Sequence, residues 1–99
     1  MTTESLGLKL CLPHHITNLA DSIYSTYVLQ LSKTAHRPSY IELESELAAC
    51  LYLACRLDNN ERTFMELANG TNYASNIEIA RTYKKLCEVL NIEMGQLKF

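Results

Sequence analysis

The sequence contains little of what turns, metal sites and phosphate loops require. Three glycines and two prolines in 99 residues are too few for the many turns of an all-β fold. The four cysteines, at positions 11, 50, 55 and 87, form no C-x-x-C pair, and no zinc-ligand spacing or phosphate-cradling glycine loop occurs. Because free cysteine is commonly buried, we interpret all four thiols as reduced core residues of an intracellular protein.

Long apolar runs and a strong net charge are also absent. No stretch approaches the roughly 20 apolar residues of a bilayer span, and the N-terminus lacks the pattern of a secretory signal. The formal charge is −2, so the chain as a whole is not a strongly cationic nucleic-acid binder. Residues 1–61 carry four basic and seven acidic residues, whereas residues 62–99 carry five and four. An anionic partner is therefore expected at the C-terminal part.

The longest apolar run is nine residues, 47–55, closed by Arg56. A surface helix would keep polar residues on one face, and this run keeps none. We interpret it as a helix buried on nearly all sides, whose alanines let neighbouring helices approach closely. A buried strand is the alternative, but alanine and cysteine are poor strand formers and Leu43 continues a helical pattern upstream.

Apolar spacing and capping signals predict the flanking helices. A stripe with a 3.6-residue period predicts a helix over about 13–31, opened by Pro13. Serine or threonine followed three residues later by glutamate, the capping-box spacing, occurs at 39–42, 63–66 and 75–78. These signals predict helices over about 40–57, 64–68 and 76–90. The third is expected to end at Gly70 in a left-handed C-cap, and Asp58, Asn59 and Asn60 end the second.

Two segments are weakly patterned. Residues 1–12 fit either a short strand, from alternating leucines, or the frayed end of a helix broken at Gly7. Residues 91–99, which contain Gly95, are expected to form an exit segment. The predicted architecture is therefore all-α: a single domain over residues 1–99, with four helices and a possible fifth arranged around the helix at about 40–57.

Catalytic and metal-binding groups have little support. His14 and His15 are adjacent, so on a helix they point about 100° apart and do not share a metal. His36 is expected alone in a polar loop beside Lys33 and Arg37. Glu42, Glu44 and Glu46 are interpreted as charges that suit the positive start of a helix. We therefore expect no enzyme activity, no metal and no cofactor.

The segment 62–90 predicts a short helix, a turn and a longer helix, as in a helix-turn-helix. There the second helix lies against DNA, so Arg62, Arg81, Lys84 and Lys85 are candidates to face phosphates. The turn is longer than the usual three or four residues. The alternative is that these charges form an ordinary solvated helix face.

Three blocks resemble a known family: AACLYLACR at 48–56, RTFMELA at 62–68 and EIARTYKKLCEVLNI at 78–92. In this order and spacing they are similar to the first cyclin-like core repeat of transcription factor IIB. The resemblance covers about residues 8–96, and Ala-Asn-Gly at 68–70 and Glu-Met-Gly-Gln at 93–96 look like its plant form.

The resemblance implies a five-helix cyclin-like fold, a nuclear location and a monomer that is not an enzyme. It implies binding to the TATA-binding protein and, through weak backbone contacts, to promoter DNA. RNA polymerase II machinery is a further candidate partner, without the regions through which the family recruits it. Matching positions carry Arg62, Ser75 and Arg81 over to the family's motifs, and Arg81 is the best single candidate for a contact.

The sequence also departs from the family. Its fifth helix typically begins S-K-K-E, whereas Ser-Asn-Ile-Glu stands at 75–78, which removes two positive charges. The region before the third helix is about four residues longer, close to one helical turn. Glu46 stands where the family has an apolar residue, and we expect it to be at the rim of the core or paired. These 99 residues contain no zinc ribbon and no second repeat, so polymerase recruitment is not carried over.

The sequence allows two alternatives to binding the promoter assembly, an interaction module and an enzyme, and it favours the first of these. One is a protein-interaction module on the same fold without DNA contact, which the lost lysines and the negative net charge favour. A lone repeat that occupies the TATA-binding protein without recruiting polymerase is a variant of it. An all-α enzyme lacks any convergent polar cluster.

Overall fold

A computed structural model describes residues 2–31 and 38–99, and all regular structure in these ranges is helical. The predicted polar loop with Lys33, His36 and Arg37 lies outside the described residues. The bounds predicted for the second and last of the expected helices are reproduced, which confirms the all-α architecture. The five helices in chain order are α1 (Thr3–Lys9), α2 (His14–Leu31), α3 (Tyr40–Leu57), α4 (Phe64–Gly70) and α5 (Asn76–Leu90).

Helix α3 is the centre of the fold, as the apolar run predicts. All residues from 44 to 55 are buried, and α3 contacts each of the other four helices. Ala48, Ala49 and Ala54 are fully inaccessible, so the neighbouring helices pack close to the α3 backbone at these positions. Each fully buried leucine of this helix contributes about 1.5–3 kcal/mol through removal of its side chain from water.

The N-terminal segment forms a helix that continues through Gly7, so neither the strand nor a break at the glycine is present. A capping box of Thr2 and Ser5 starts α1, and the Thr3 hydroxyl hydrogen-bonds the Asp21 carboxylate on α2. A Cβ at position 7 would overlap the Thr17 methyl group. Gly7 is therefore the residue that lets α1 lie directly on α2.

Gly70 contradicts the predicted left-handed C-cap. It remains part of α4 without a positive φ, and Thr71 takes the C-cap position in an extended conformation. A Cβ on Gly70 would lie 2.6 Å from Leu6 Cδ1, so close approach of α1 is what requires glycine here. The left-handed C-cap occurs instead at Asn91, after α5.

The predicted capping boxes are confirmed in full at α4 and α5, and at α3 by the serine hydrogen bond. Thr63 with Glu66 and Ser75 with Glu78 make both bonds of a capping box. At the start of α3, the Ser39 hydroxyl accepts a hydrogen bond from the Glu42 amide at 3.2 Å. Each such cap is worth about 1 kcal/mol, which fixes where these helices begin.

Candidate nucleic-acid and protein interface

The exposed face of α5 carries the free cations of the predicted site. Its buried stripe contains Ile79, Tyr83 and Leu86. At 100° per residue, positions 81, 84, 85 and 88 lie on the opposite side. Arg81, Lys84 and Lys85 are exposed there and make no hydrogen bond or ion pair with any residue of 2–31 or 38–99. Three of the five predicted site residues are thus on one solvent-facing surface, available to an anionic group.

One apolar side chain extends this surface toward the start of α5. Ile77 precedes Arg81 by one turn and is 48 % exposed. It occupies one of the two positions where the resemblance implies lysine. The same face also carries Glu88, four residues after Lys84. It therefore presents three cations and one carboxylate. The face combines positive charge with an exposed aliphatic group.

Ser75 and Glu78 bind each other through two reciprocal hydrogen bonds. The Ser75 hydroxyl accepts from the Glu78 amide at 3.2 Å, and the Glu78 carboxylate accepts from the Ser75 amide at 2.9 Å. Ser75 therefore serves to begin α5 at residue 76, and this capping gives it a structural role at the site.

Arg62 is on a different element and is engaged by its own neighbours. It precedes Thr63, the N-cap of α4, and its side chain is 25 % exposed. Its Nη1 donates to Asn60 Oδ1 at 2.8 Å, and its Nε lies 4.0 Å from Glu66 Oε2. The structure does not place Arg62 on the exposed face of α5.

Glu44 positions α5, although we expected only a helix-start charge. It is 4 % exposed, and its carboxylate accepts three successive backbone amides of the connection between α4 and α5. The distances are 2.9 Å from Asn72 N, 2.7 Å from Tyr73 N and 3.1 Å from Ala74 N. Charge-assisted bonds of this kind are about twice as strong as neutral ones. The signal available in the sequence is its helical phase, three residues before Leu47 and seven before Leu51.

Glu46 is paired inside the core, which is one of the two expected alternatives. It is 6 % exposed, and burial and, second, the negative charge of Glu46 raise the pKa of the nearby Tyr24 hydroxyl on α2. Burial and, second, the negative charge of Glu46 raise the pKa of Tyr27 to about 12 and raise the pKa of the Cys50 thiol. The glutamate that replaces an apolar residue therefore has polar neighbours on α2.

The cysteines and histidines show no reactive arrangement in the described part of the chain. Cys50, Cys55 and Cys87 are buried as predicted, but the prediction is wrong for Cys11, which is exposed in the turn after α1. Burial raises the pKa of Cys55 to about 11, so this thiol is protonated and inert near neutral pH. His15 Nε2 lies 3.1 Å from Asp58 Oδ2 at the surface.

Residues 2–31 and 38–99 contain neither a metal-ligand cluster nor a helix of membrane-spanning character. No three His, Cys, Asp or Glu side chains are grouped closely enough there to hold a metal ion. In the same ranges, no helix has the length and apolar character needed to cross a membrane.

Comparisons with known proteins agree with this geometry. A family model described as "Transcription factor TFIIB repeat" matches residues 2–89. The chain is 32 % identical over 96 residues to "Transcription initiation factor IIB-2" of Arabidopsis thaliana, covering 97 % of this chain and 29 % of that protein. It is 31 % identical over 94 residues to "Transcription initiation factor IIB" of Glycine max, covering 95 % of this chain and 28 % of the relative.

The similarity extends beyond plants. "Transcription initiation factor IIB" of Methanopyrus kandleri is 31 % identical over 93 residues, covering 91 % of this chain and 28 % of the relative. The chain thus spans less than a third of the length of these curated relatives. The family match over five helices, with the buried α3 and the capped α4 and α5, leads to one conclusion: this chain belongs to the TFIIB repeat family.

Proposed function

We propose that the chain is a transcription-initiation module that binds the TATA-binding protein and promoter DNA through the exposed face of α5. The observation that carries the proposal is the group of three cations, Arg81, Lys84 and Lys85, with no partner in the described residues. Family membership and relatives named as transcription initiation factors support it. The module acts in the nucleus, as a monomer and not as an enzyme.

The physical basis is phosphate neutralisation by a rigid helix. Each phosphate contact releases condensed counterions and contributes about 0.9 to the salt slope, so three cations give a slope of roughly 3. A slope of this size corresponds to weak, sequence-independent contact with the DNA backbone. Contact with the TATA-binding protein must therefore supply most of the affinity and the register, and RNA polymerase II machinery would join that assembly through other parts of it.

A second candidate function is a protein-interaction module without DNA contact. Ile77, exposed at the start of the same face, favours it because a phosphate offers nothing to an aliphatic side chain. In this form the repeat would occupy the TATA-binding protein without DNA contact, and as a competitor it would not recruit polymerase.

The test is a gel shift on a TATA promoter with and without the TATA-binding protein, at low salt. We expect a supershift only when the TATA-binding protein is present, and Arg81→Glu should abolish it. Lys9→Glu is the control, since it makes the same charge change on α1; because it also removes the hydrogen bond from Lys9 Nζ to the Gly70 carbonyl, circular dichroism should show that this variant keeps the helicity of the unaltered chain. Absence of a supershift with the unaltered chain overturns the first function. Binding to the TATA-binding protein in the absence of DNA would then favour the second.

A further inference from the structure

Residues 94–99 lie across the start of α4 and are bound there by their backbone. The Phe64 amide donates to the Lys98 carbonyl at 2.9 Å, and the Met65 amide donates to the Phe99 carbonyl at 3.1 Å. In the other direction, the Lys98 amide donates to the Tyr52 hydroxyl at 2.9 Å. Helix starts leave such amides without an intrahelical partner, and segment 94–99 supplies the partners for α4.

Apolar side chains of the same segment also contact this region: Met94 and Leu97 pack partly buried against the core, and Phe99, which is 54 % exposed, covers Phe64. The Phe99 ring meets Phe64 edge to face, with centroids 5.2 Å apart. Phe64 stacks on Tyr52 at 4.1 Å, and Tyr52 contacts Tyr83 edge to face at 4.6 Å. We call the surface formed by Tyr52, Arg56, Phe64 and Tyr83 the α4 groove.

Arg56 recognises the other end of the segment. Its Nη1 donates to the Tyr83 hydroxyl at 3.3 Å and to the Met94 carbonyl. Gly95 follows with φ of 63°, a left-handed conformation that favours glycine, and a Cβ there would overlap the Arg56 guanidinium. The groove thus requires glycine at one position and accommodates an aromatic ring four residues later.

Extended peptides are recognised through main-chain hydrogen bonds that give affinity and side-chain requirements that give specificity, and segment 94–99 makes contacts of both kinds. Only residues 91–93 join α5 to the segment, and the groove contacts themselves do not depend on that link. We propose that the α4 groove is a peptide-binding site for the sequence of residues 94–99. It is occupied in cis by the chain's own segment, and it accepts the same segment from a second copy once its own is undocked.

The short connection explains why the site is closed in cis. A tethered segment competes at an effective concentration of the order of millimolar, without any additional contact. A free peptide at micromolar concentration therefore loses to the attached one. Weakening the attached copy should expose the groove, and this makes the proposal testable in the full chain.

The experiment uses a fluorescently labelled peptide with the sequence of residues 93–99 and fluorescence anisotropy. The full chain carrying Gly95→Ala should bind it at least about tenfold more tightly than the unaltered chain, because the alanine displaces only the attached segment. Gln96→Ala, at an exposed neighbour without a hydrogen bond to any described residue, should behave like the unaltered chain. A peptide carrying Gly95→Ala should not bind, and a peptide carrying Phe99→Ala should bind more weakly, because Phe99 is 54 % exposed and contacts Phe64 with only part of its ring.

Hydrogen exchange shows whether the segment is undocked. In the Gly95→Ala chain, the Phe64 and Met65 amides should exchange faster while α3 amides keep their protection. If those two amides stay protected in both Gly95→Ala and Arg56→Met, Gly95 and Arg56 do not hold the segment in place and the proposed recognition is wrong.

If the two amides become exposed and the peptide still does not bind, the α4 groove is not a peptide-binding site. If Gly95→Ala unfolds the whole chain, the unaltered peptide must restore its helicity, and failure to do so also overturns the proposal. None of these measurements involves DNA or the TATA-binding protein.

Discussion

Helices α4 and α5 begin with similar sequences, but they differ in whether their cationic side chains are already bonded within the chain. Each begins with a capping box, and each has arginine near its start or on its exposed face. At α4, Arg62 is bonded to Asn60, and the carbonyls of Lys98 and Phe99 take the first amides. At α5, the turn is held from behind by Glu44, and the cations point into solvent. Whether a cation is already engaged within the chain, more than its residue type, therefore decides which of the two helices is open to a partner.

The largest expected effect comes from removing the support behind α5. Glu44→Ala leaves the amides of residues 72–74 without their acceptor, and the buried Ala74 amide then has no partner. Loss of a buried charged acceptor costs about 3 kcal/mol in the free energy of unfolding, measured by urea denaturation. Glu42→Ala, at an exposed position on the same helix, should cost less than about 1 kcal/mol. Equal losses for both variants would show that the connection is not held by Glu44.

The bounds of α3 and α5 were predictable because their signals are local. An apolar run, a serine three residues before a glutamate and the polar residues 58–60 after α3 all lie within one helix or beside its ends. The role of Glu44 was not predictable, because its partners are about 30 residues away and depend on how α3 meets the connection after α4. Gly70 and Gly95 show the same limit. A glycine in a sequence indicates either an unusual backbone conformation or close approach of another group. Only the packing of Leu6 against Gly70 and of Arg56 against Gly95 shows which reason applies.

The second prediction separates the exposed face of α5 from the start of α4 by the salt dependence of binding. Replacing Lys84 and Lys85 together with glutamine should lower the salt slope of complex formation by about two units and weaken binding at low salt at least tenfold. Arg62→Gln should leave the slope unchanged, because this guanidinium is already engaged with Asn60. Gel shifts between about 50 and 200 mM salt supply both slopes. A slope reduced by Arg62→Gln would place α4 in the interface as well.

The third prediction concerns how ionisation of Tyr83, beside the α4 groove, lowers the free energy of unfolding at high pH. Burial and, second, a hydrogen bond with Cys87 raise the pKa of Tyr83 to about 12. The unfolded chain, with an ordinary tyrosine pKa of about 10, releases this proton first. The stability associated with the neutral hydroxyl is therefore complete below pH 10 and is lost as pH rises toward 12, by roughly 2 kcal/mol.

Tyr83→Phe tests that assignment. The variant should flatten the fall in the free energy of unfolding between pH 10 and 12, and it should also lower stability at pH 7 because Arg56 loses a partner. Tyr40→Phe is the control, since Tyr40 is 81 % exposed. An unchanged alkaline profile in Tyr83→Phe would show that other buried groups, such as Tyr27 or Cys55, set the high-pH limit.

The smallest expected effect distinguishes the two proposed functions of α5. Ile77→Lys adds a cation one turn before Arg81, at a position that is already exposed, so the helix and its cap are unchanged. If the face binds phosphates, the variant should raise DNA affinity several-fold and the salt slope by about one unit. If the face binds an apolar protein surface, Ile77→Lys should instead weaken binding to the TATA-binding protein without DNA, while Ile77→Leu preserves it. The sign of the change therefore identifies which partner the exposed isoleucine serves.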